Sequence, residues 1–342
     1  MNRAATLALA PLSLLYGLAI RIRNACYRRG ILKTETVAAA VISVGNLTTG
    51  GTGKTPLVAW IAREVAAAGF RVCVLSRGYG RQNSRNRVVA SDGKSVLADV
   101  TETGDEPYLL AEKLLGKAAV VCDANRVSAA KWAITNLSSD LFVLDDAFQH
   151  QRVARQFNIL TIDAANPWGN GWLLPAGILR EPVAELARAD CIVITRADST
   201  GVEALLQRIN QQRPGLPVFR SVMKQTEMNQ PDSGEIRKTS RIAAFCAIGN
   251  PASFFSSLRK TGYEVVHTSS FRDHHEYAQN DIDTIVREAR ARGAQALFTT
   301  AKDSVKIRSL NLSLPCYVAD IEIEIERADL LRELILKAIR TA

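Results

Sequence analysis

No acidic residue precedes Glu35 in this 342-residue chain. The whole sequence has 43 Lys and Arg against 34 Asp and Glu, a formal charge of +9, yet six of those bases (Arg3, Arg21, Arg23, Arg28, Arg29 and Lys33) fall inside the acid-free stretch. The rest of the chain is close to balance, so nucleic-acid binding by a basic surface loses its support. Cysteine is sparse: there are six, none in a C-x-x-C pair, and Cys73, Cys122, Cys191 and Cys246 lie inside apolar runs. That excludes a disulfide-stapled scaffold and fits small buried hydrophobes in a reducing compartment. Repeats and low-complexity tracts are missing, and 47% hydrophobic with 23% charged residues is ordinary globular usage. Wholesale disorder, collagen and coiled coil are therefore excluded, and the length suggests two domains.

Long apolar runs are lacking too, with one partial exception. Ala4–Ile20 is uncharged for 17 residues, interrupted by Pro11 and Gly17, and Arg21 ends it. A secretory signal normally carries more than one base ahead of its apolar centre. A spanning helix needs about 20 apolar residues. An amphipathic or shallowly inserted helix, with a basic flank touching anionic headgroups, fits both length and charge. The expectation is a peripheral membrane anchor on the cytoplasmic side, since basic flanks stay there; a buried core helix is the alternative.

After residue 36, short β-rich runs alternate with helical stretches. Strands are expected at Val37–Val44, Arg71–Ser76, Ala118–Cys122, Leu141–Leu144, Asn158–Asp163 and Cys191–Thr195, with helices between them. Continuous Val, Ile and Leu runs separated by helices indicate a parallel sheet covered on both faces. Val88–Ser91 with Ser95–Ala98 around Asp92-Gly93 predicts a small inserted hairpin. A polar stretch, Gln225–Ser240, contains the turn cluster Pro231–Gly234 and marks a boundary. Beyond it the alternation restarts with Ile242–Ile248, Glu264–His267 and Ala296–Thr300, then Cys316–Ala319, Ile321–Ile325 and a terminal helix. The expected organisation is a membrane-associated segment (1–35), a nucleotide-binding domain (36–224), a linker (225–240) and a smaller α/β domain (241–342).

The strongest local signal is VISVGNLTTGGTGKTP, residues 41–56. A strand, a glycine-rich turn and then Gly53-Lys54-Thr55 opening a helix form a phosphate cradle: Gly50, Gly51, Thr52 and Gly53 let backbone N–H groups curl around an anion. Lys54 would reach the β- and γ-phosphates of a nucleotide, and the Thr55 hydroxyl would hold Mg²⁺. Thr48 stands where the general pattern wants glycine; Gly45, Gly50 and Gly51 supply flexibility instead. The strand LFVL then ends in Asp145 and Asp146, the expected Mg²⁺-associated carboxylates of a phosphate-loop site. Asp105, in Gly104-Asp105-Glu106-Pro107, reads equally well as a helix start or as a functional acid. Arg272-Asp273-His274-His275 offers too few ligands for a metal but enough for an Asp/His relay. LSRGYGR (75–81) suits an anionic ligand or a mobile loop, and Thr195–Asp198 weakly matches a guanine-reading element, with Arg196 in place of lysine.

GNLTTGGTGKTP, LSRGYGR, GDEP, DDAFQH, RDHH and TTAKDSVK, in this order and spacing, resemble the tetraacyldisaccharide 4′-kinase family over about residues 10–335. The resemblance implies a membrane-associated, ATP- and Mg²⁺-dependent kinase acting on an acylated glucosamine disaccharide phosphate at the cytoplasmic face of the inner membrane. It implies that Asp105 is the catalytic base, assisted by a second-domain histidine at His274 beside Asp273. It also implies that Gln149 and His150 complete the acidic motif, and that Arg126 and Glu181 are further active-site residues, Glu181 near the metal. The sequence departs from the family at Ala147, where glycine is common, and at Ala301, where glutamate usually precedes Lys-Asp. A phosphate-loop GTPase or ATPase switch acting on a protein partner is the runner-up, and a nucleotide-retaining membrane scaffold the third reading.

Overall fold

The alternating pattern resolves, in a computed structural model of the protein, into one twelve-stranded sheet with helices packed on its two faces. The structure describes residues 3–199, 201–228, 236–237 and 239–340. In chain order the first part comprises α1 (Arg3–Arg28), β1 (Ala40–Asn46), α2 (Lys54–Ala67), β2 (Val72–Ser76), β3 (Val88–Ser91), α3 (Val100–Thr103) and α4 (Asp105–Lys113). It continues through β4 (Ala118–Cys122), α5 (Arg126–Leu137), β5 (Leu141–Leu144), β6 (Phe157–Asp163), β7 (Cys191–Thr195), α6 (Val202–Gln212) and β8 (Val218–Met228). The second part comprises β9 (Arg241–Cys246), α7 (Pro251–Lys260), β10 (Glu264–Ser270), α8 (Gln279–Ala291), β11 (Ala296–Thr300), α9 (Ala301–Ile307), β12 (Cys316–Ile325) and α10 (Ala328–Arg340).

The strand order is β10-β9-β11-β12-β8-β7-β6-β1-β5-β2-β4-β3. Pairing is parallel except where β12 meets β8 and β3 meets β4. Alternation within β1 explains the two covered faces. Ile42 and Val44 pack toward α2, α4 and α10, whereas Val41 packs toward α5. In the second part, Ile242, Ala244 and Cys246 of β9 meet α7, while Ala243 and Phe245 meet α8. α10 buries Leu331, Ile335 and Ile339, spaced four apart, in the same core as α2 and β1. The last helix thus closes the core begun by the first strand.

Several sequence expectations change. The predicted hairpin reduces to a single Ser91–Val96 bridge, because β3 instead runs antiparallel to β4. Cys316–Ala319 and Ile321–Ile325 merge into β12, which pairs with β8 from Val318–Met228 to Ile325–Ser221. Residues 225–228, expected in the linker, therefore belong to a strand; its turn cluster, at 231–234, lies outside the described residues. α9 has no counterpart in the expected elements, since seven residues show too little apolar periodicity to be read as a helix.

α1 is longer than the uncharged run suggests, and Thr6–Arg28 is long and apolar enough to cross a membrane, with a mean hydropathy of 1.3. Its arrangement inverts that of a soluble amphipathic helix. The small or polar residues Ser13, Gly17 and Asn24 face the protein, with Ser13 Oγ donating to the Leu173 carbonyl and Tyr16 Oη donating to that of Arg180. Leu7, Leu12, Leu14, Leu15, Leu18 and Ile22 are exposed. A contiguous outward apolar face of this kind marks an interaction surface.

Candidate active site

The phosphate loop connects β1 to α2 at the C-terminal edge of the parallel strands, where open α/β sheets bind ligands. Gly45 does not act as a flexible element: a Cβ there would lie 2.5 Å from the Phe148 nitrogen, so glycine permits close packing of β1 on the DDAFQH segment. At Gly50 and Gly51 a Cβ would meet nothing within 4 Å, and this open cradle is where an anion would sit. The loop is braced from below. Thr52 Oγ1 shares a hydrogen bond with Thr161 Oγ1 (3.0 Å), and Thr195 Oγ1 donates to the Thr52 carbonyl (3.0 Å). Arg196 pairs with Asp163 and donates to the Gly51 carbonyl at 3.2 Å. The element expected to read guanine therefore props the phosphate loop.

Asp145 and Asp146 follow β5, next to the phosphate strand, and divide as adjacent residues must. Asp145 is buried; Ser76 Oγ donates to its Oδ2 (3.2 Å), and its Oδ1 has no hydrogen-bond partner. Burial, with the charges of Glu106 and Asp146 nearby, pushes its carboxyl up to about 7. Asp146 adopts a left-handed backbone (φ 48°), which aims its oxygens at Lys54 Nζ (3.4 Å) and Arg180 (2.8 Å). Burial opposes its charge, but Lys54 and Arg180 overcome that and hold it below the usual carboxylate range. An orphaned buried carboxylate oxygen beside a glycine cradle, a lysine and Thr55 suits a metal–nucleotide phosphate group. Thr55, Asp145 and Asp146 would hold the Mg²⁺. Among the described residues no cluster of three His, Cys, Asp or Glu could hold a metal. Mg²⁺ commonly takes one or two carboxylates plus substrate phosphates.

Two further expected site residues lie beside the acidic turn and at the α1 junction. Arg126 is buried at the start of α5, donating to the carbonyls of Asp123 (2.8 Å) and Asp145 (3.5 Å), so it braces the acidic turn from behind. Burial pulls its guanidinium down to about 10. Glu181 is fully buried, and its two oxygens are taken by Arg23 (2.9 Å), Asn24 (3.2 Å) and Arg188. Glu181, expected near the metal, makes contacts that tie α1 to the body. His150 is driven neutral, down to about 4, by burial and surrounding arginines. Arg81 spends its guanidinium on the carbonyls of Cys122 and Ser84, so of the two arginines in LSRGYGR only Arg77 is exposed.

The second half of the site joins segments far apart in sequence. Gly104 (φ 85°) lets α4 start against the Tyr79 carbonyl, where a Cβ would lie 2.5 Å away, and this presents Asp105 at the helix's first residue. Asp105 Oδ1 accepts from the Glu106 N–H (3.0 Å), and both carboxylate oxygens face His274 Nδ1 at 3.0 and 3.2 Å. His274 is also left-handed (φ 63°), a backbone cost of about 1–3 kcal/mol of the kind that concentrates at functional sites. Burial opposes the Asp105 charge, but His274, Lys302 and Lys306 hold its carboxyl below the ordinary value. The hydrogen bond that His274 donates to Asp105 raises the His274 pKa, against its own partial burial. His275 points elsewhere: it bonds Asp281 (3.0 Å) and stacks on Phe271. A Cβ on Gly249 would lie 3.7 Å from both the Gly51 nitrogen and Asp273 Oδ2, so the phosphate loop and the RDHH loop approach each other there.

Sequence reasoning gave no role to Arg180, Lys302 or Lys306, and read Arg196 only as part of a guanine-like element. The lysines stand in TTAKDSVK, a motif visible in the sequence without an assigned role.

The family model for tetraacyldisaccharide-1-P 4′-kinase matches residues 5–340. A relative from Pelobacter propionicus named tetraacyldisaccharide 4′-kinase is 40% identical over 314 residues, covering 90% of this chain and 85% of that protein. One from Geobacter metallireducens with the same name is 41% identical over 307 residues, covering 90% of each. The crystal structure of LpxK from Aquifex aeolicus in complex with ATP superposes with a TM-score of 0.79 at 32% identity, covering 98% of this chain and 99% of that one.

Proposed function

This chain belongs to the tetraacyldisaccharide-1-P 4′-kinase family, and from that premise we propose how its residues divide the work. The protein is an ATP-dependent kinase that phosphorylates the 4′-hydroxyl of a tetraacylated glucosamine disaccharide 1-phosphate in lipid A synthesis. The observation that carries the residue assignment is the Asp105–His274 pair, held at 3.0 Å across two units of the sheet near the phosphate loop.

When bound, Mg·ATP supplies the transferable phosphoryl group and a metal charge against its oxygens. The Gly50–Thr55 backbone and Lys54 would cradle the phosphates, and Thr55, Asp145 and Asp146 would hold the metal side. Arg180 and Lys54 keep Asp146 ionised and aimed. A sugar hydroxyl is a poor nucleophile at neutral pH, so Asp105 accepts its proton while the His274 N–H holds the carboxylate in place. Residues 36–224 act as the nucleotide-binding unit and 241–342 as the unit that delivers His274, so closure of the two assembles the site.

The outward apolar face of α1 lies in the headgroup region of the cytoplasmic leaflet, with exposed Arg21, Arg28 and Arg29 against anionic lipid. Arg23 is excluded from that contact because it serves Glu181. Incubation with γ-labelled ATP and the acylated disaccharide 1-phosphate should place label on the lipid in wild type and not in Asp105→Ala. Labelled inorganic phosphate alone, or labelled lipid from the Asp105→Ala variant at wild-type rate, would overturn the assignment.

A further inference from the structure

One buried cation at the junction of the two units has no role in the scheme above. Lys302 stands in the first turn of α9, with its side chain only 16% exposed. Its Nζ lies 3.2 Å from Asp273 Oδ1, 3.4 Å from Glu106 Oε1 and 3.6 Å from Asp105 Oδ2. The same nitrogen is 3.4 Å from Nε2 of His274. An ammonium has three donors and no acceptor. Where Lys302 donates to it, Nε2 is the unprotonated acceptor, and the proton of a neutral ring then lies on Nδ1, the atom that faces Asp105. We propose that Lys302 is a positioning residue for the kinase reaction, fixing His274 in the Nδ1-protonated tautomer that donates to the Asp105 carboxylate.

The lysine is itself held in place. Thr300 and Asp303 bond each other reciprocally at the start of α9: Asp303 N donates to Thr300 Oγ1 (3.1 Å), and Thr300 Oγ1 donates to Asp303 Oδ2 (2.7 Å). The fully buried Asp303 also accepts from the Ala247 N–H (2.9 Å) and pairs with Lys306 (2.8 Å). Burial works against the charge of Lys302, but Glu106, Asp105 and Asp273 outweigh it and raise its pKa above the ordinary lysine value. The Tyr79 ring, 5.1 Å from the His274 ring, closes another side of the imidazole. A plain interdomain clasp would not need the imidazole contact. Arg308 provides such a clasp, pairing with Glu112 at 2.5 and 2.8 Å between the same two helices.

The inference rests on Asp105 being the base, and the test separates the two. In full-length protein labelled with ¹⁵N-histidine, there are 4 histidines to resolve, and His274→Gln identifies the relevant signal. Wild type should show Nε2 unprotonated and Nδ1 protonated at His274; Lys302→Met should shift this toward a tautomer mixture. Its turnover should fall about ten- to a hundredfold, the scale of a misplaced catalytic group, with ATP affinity by direct titration within twofold of wild type. The groups facing the dyad are Lys302, Lys306, Glu106 and Asp273. Losing one cation from that set raises the proton affinity of both dyad members, so the acid limb of kcat/KM should move to higher pH. Lys302→Arg should restore part of the limb, and Arg308→Met should leave it unmoved. An unchanged His274 signal and an unchanged acid limb in Lys302→Met would overturn the proposal. Wild-type turnover in Asp105→Ala would instead defeat the base assignment, with the tautomer signal still deciding the role of Lys302.

Discussion

The phosphate loop and the Asp105–His274 pair meet near one edge of one sheet, yet they are constructed on opposite principles. The loop, its lysine and its threonine are consecutive residues between β1 and α2, braced by side chains of the neighbouring strands β6 and β7. The dyad joins residues 169 positions apart, one at the tip of a helix and one on a left-handed loop residue, with a lysine from a third segment beside them. A nucleotide site can be organised in one unit before the acceptor arrives. On the proposed assignment, a proton-accepting site assembled from two units is complete only when they are docked, which would tie deprotonation of the acceptor to closure. The difference suits a kinase that must not spend ATP on water.

That contrast can be broken by separating binding from turnover. Asp105→Ala should lower kcat by about 10²–10⁴-fold, the usual worth of a general base, while leaving ATP affinity in direct titration within twofold. A parallel loss of ATP binding would mean that the two halves are not separable. Lys54→Met should do the converse, weakening ATP and lowering turnover about 10²–10³-fold, the scale for one charge-stabilising group. The acceptor half should stay intact, with the His274–Asp105 bond still visible by ¹⁵N NMR.

Glu181→Ala tests a boundary of the comparison, because that residue was expected on the metal side and lies in the α1 anchor. Removing one partner of a buried charge cluster costs about 3–5 kcal/mol, read as a lower urea midpoint, with the Mg²⁺ dependence of residual activity unchanged. A raised Mg²⁺ requirement at unaltered stability would return Glu181 to the metal.

The smallest effect is in pH. His274 is raised, so its contribution to docking is fully present below about 6.5, the unperturbed imidazole value, and fades as pH climbs through its higher folded value. Asp105 is lowered, so its contribution holds above about 3.9 and is lost as pH falls through its lower folded value. Lys302 and Lys306 reinforce the acid, and Glu106 and Asp273 balance them. Thermal midpoints should therefore be highest between those limits, and His274→Gln should flatten the alkaline decline. An identical pH profile in the variant would show that the pair does not hold the units together.

The phosphate loop was legible because a glycine turn, Lys54 and Thr55 must be contiguous to wrap an anion at a helix N-terminus. The acidic pair was legible because a buried strand ending in two carboxylates has few other uses. Arg180 reaches Asp146, while the partners of Glu181 were not legible. Nothing in the chain order announces that Arg23 and Arg188 converge on it. Lys302 and Lys306 were visible as letters and silent as chemistry, because α9 is one of the shortest helices and its lysines acquire meaning only from α4. The apolar run of α1 was plain, but not which face it turns outward.

By itself, then, the amino-acid sequence determined the alternation of buried strands and helices, the phosphate cradle with its acidic partner, and an apolar, basic-flanked N-terminus. Each of these depends on local period or adjacency, which survive in one dimension. Only the tertiary structure decided which histidine faces Asp105, that Arg196 braces a loop, that Glu181 anchors a helix, and that Lys302 sits among three carboxylates. Those outcomes depend on hydrogen bonds and charges a few ångströms long between segments far apart in sequence, and distance in space has no signature in a string until the sheet brings its ends together.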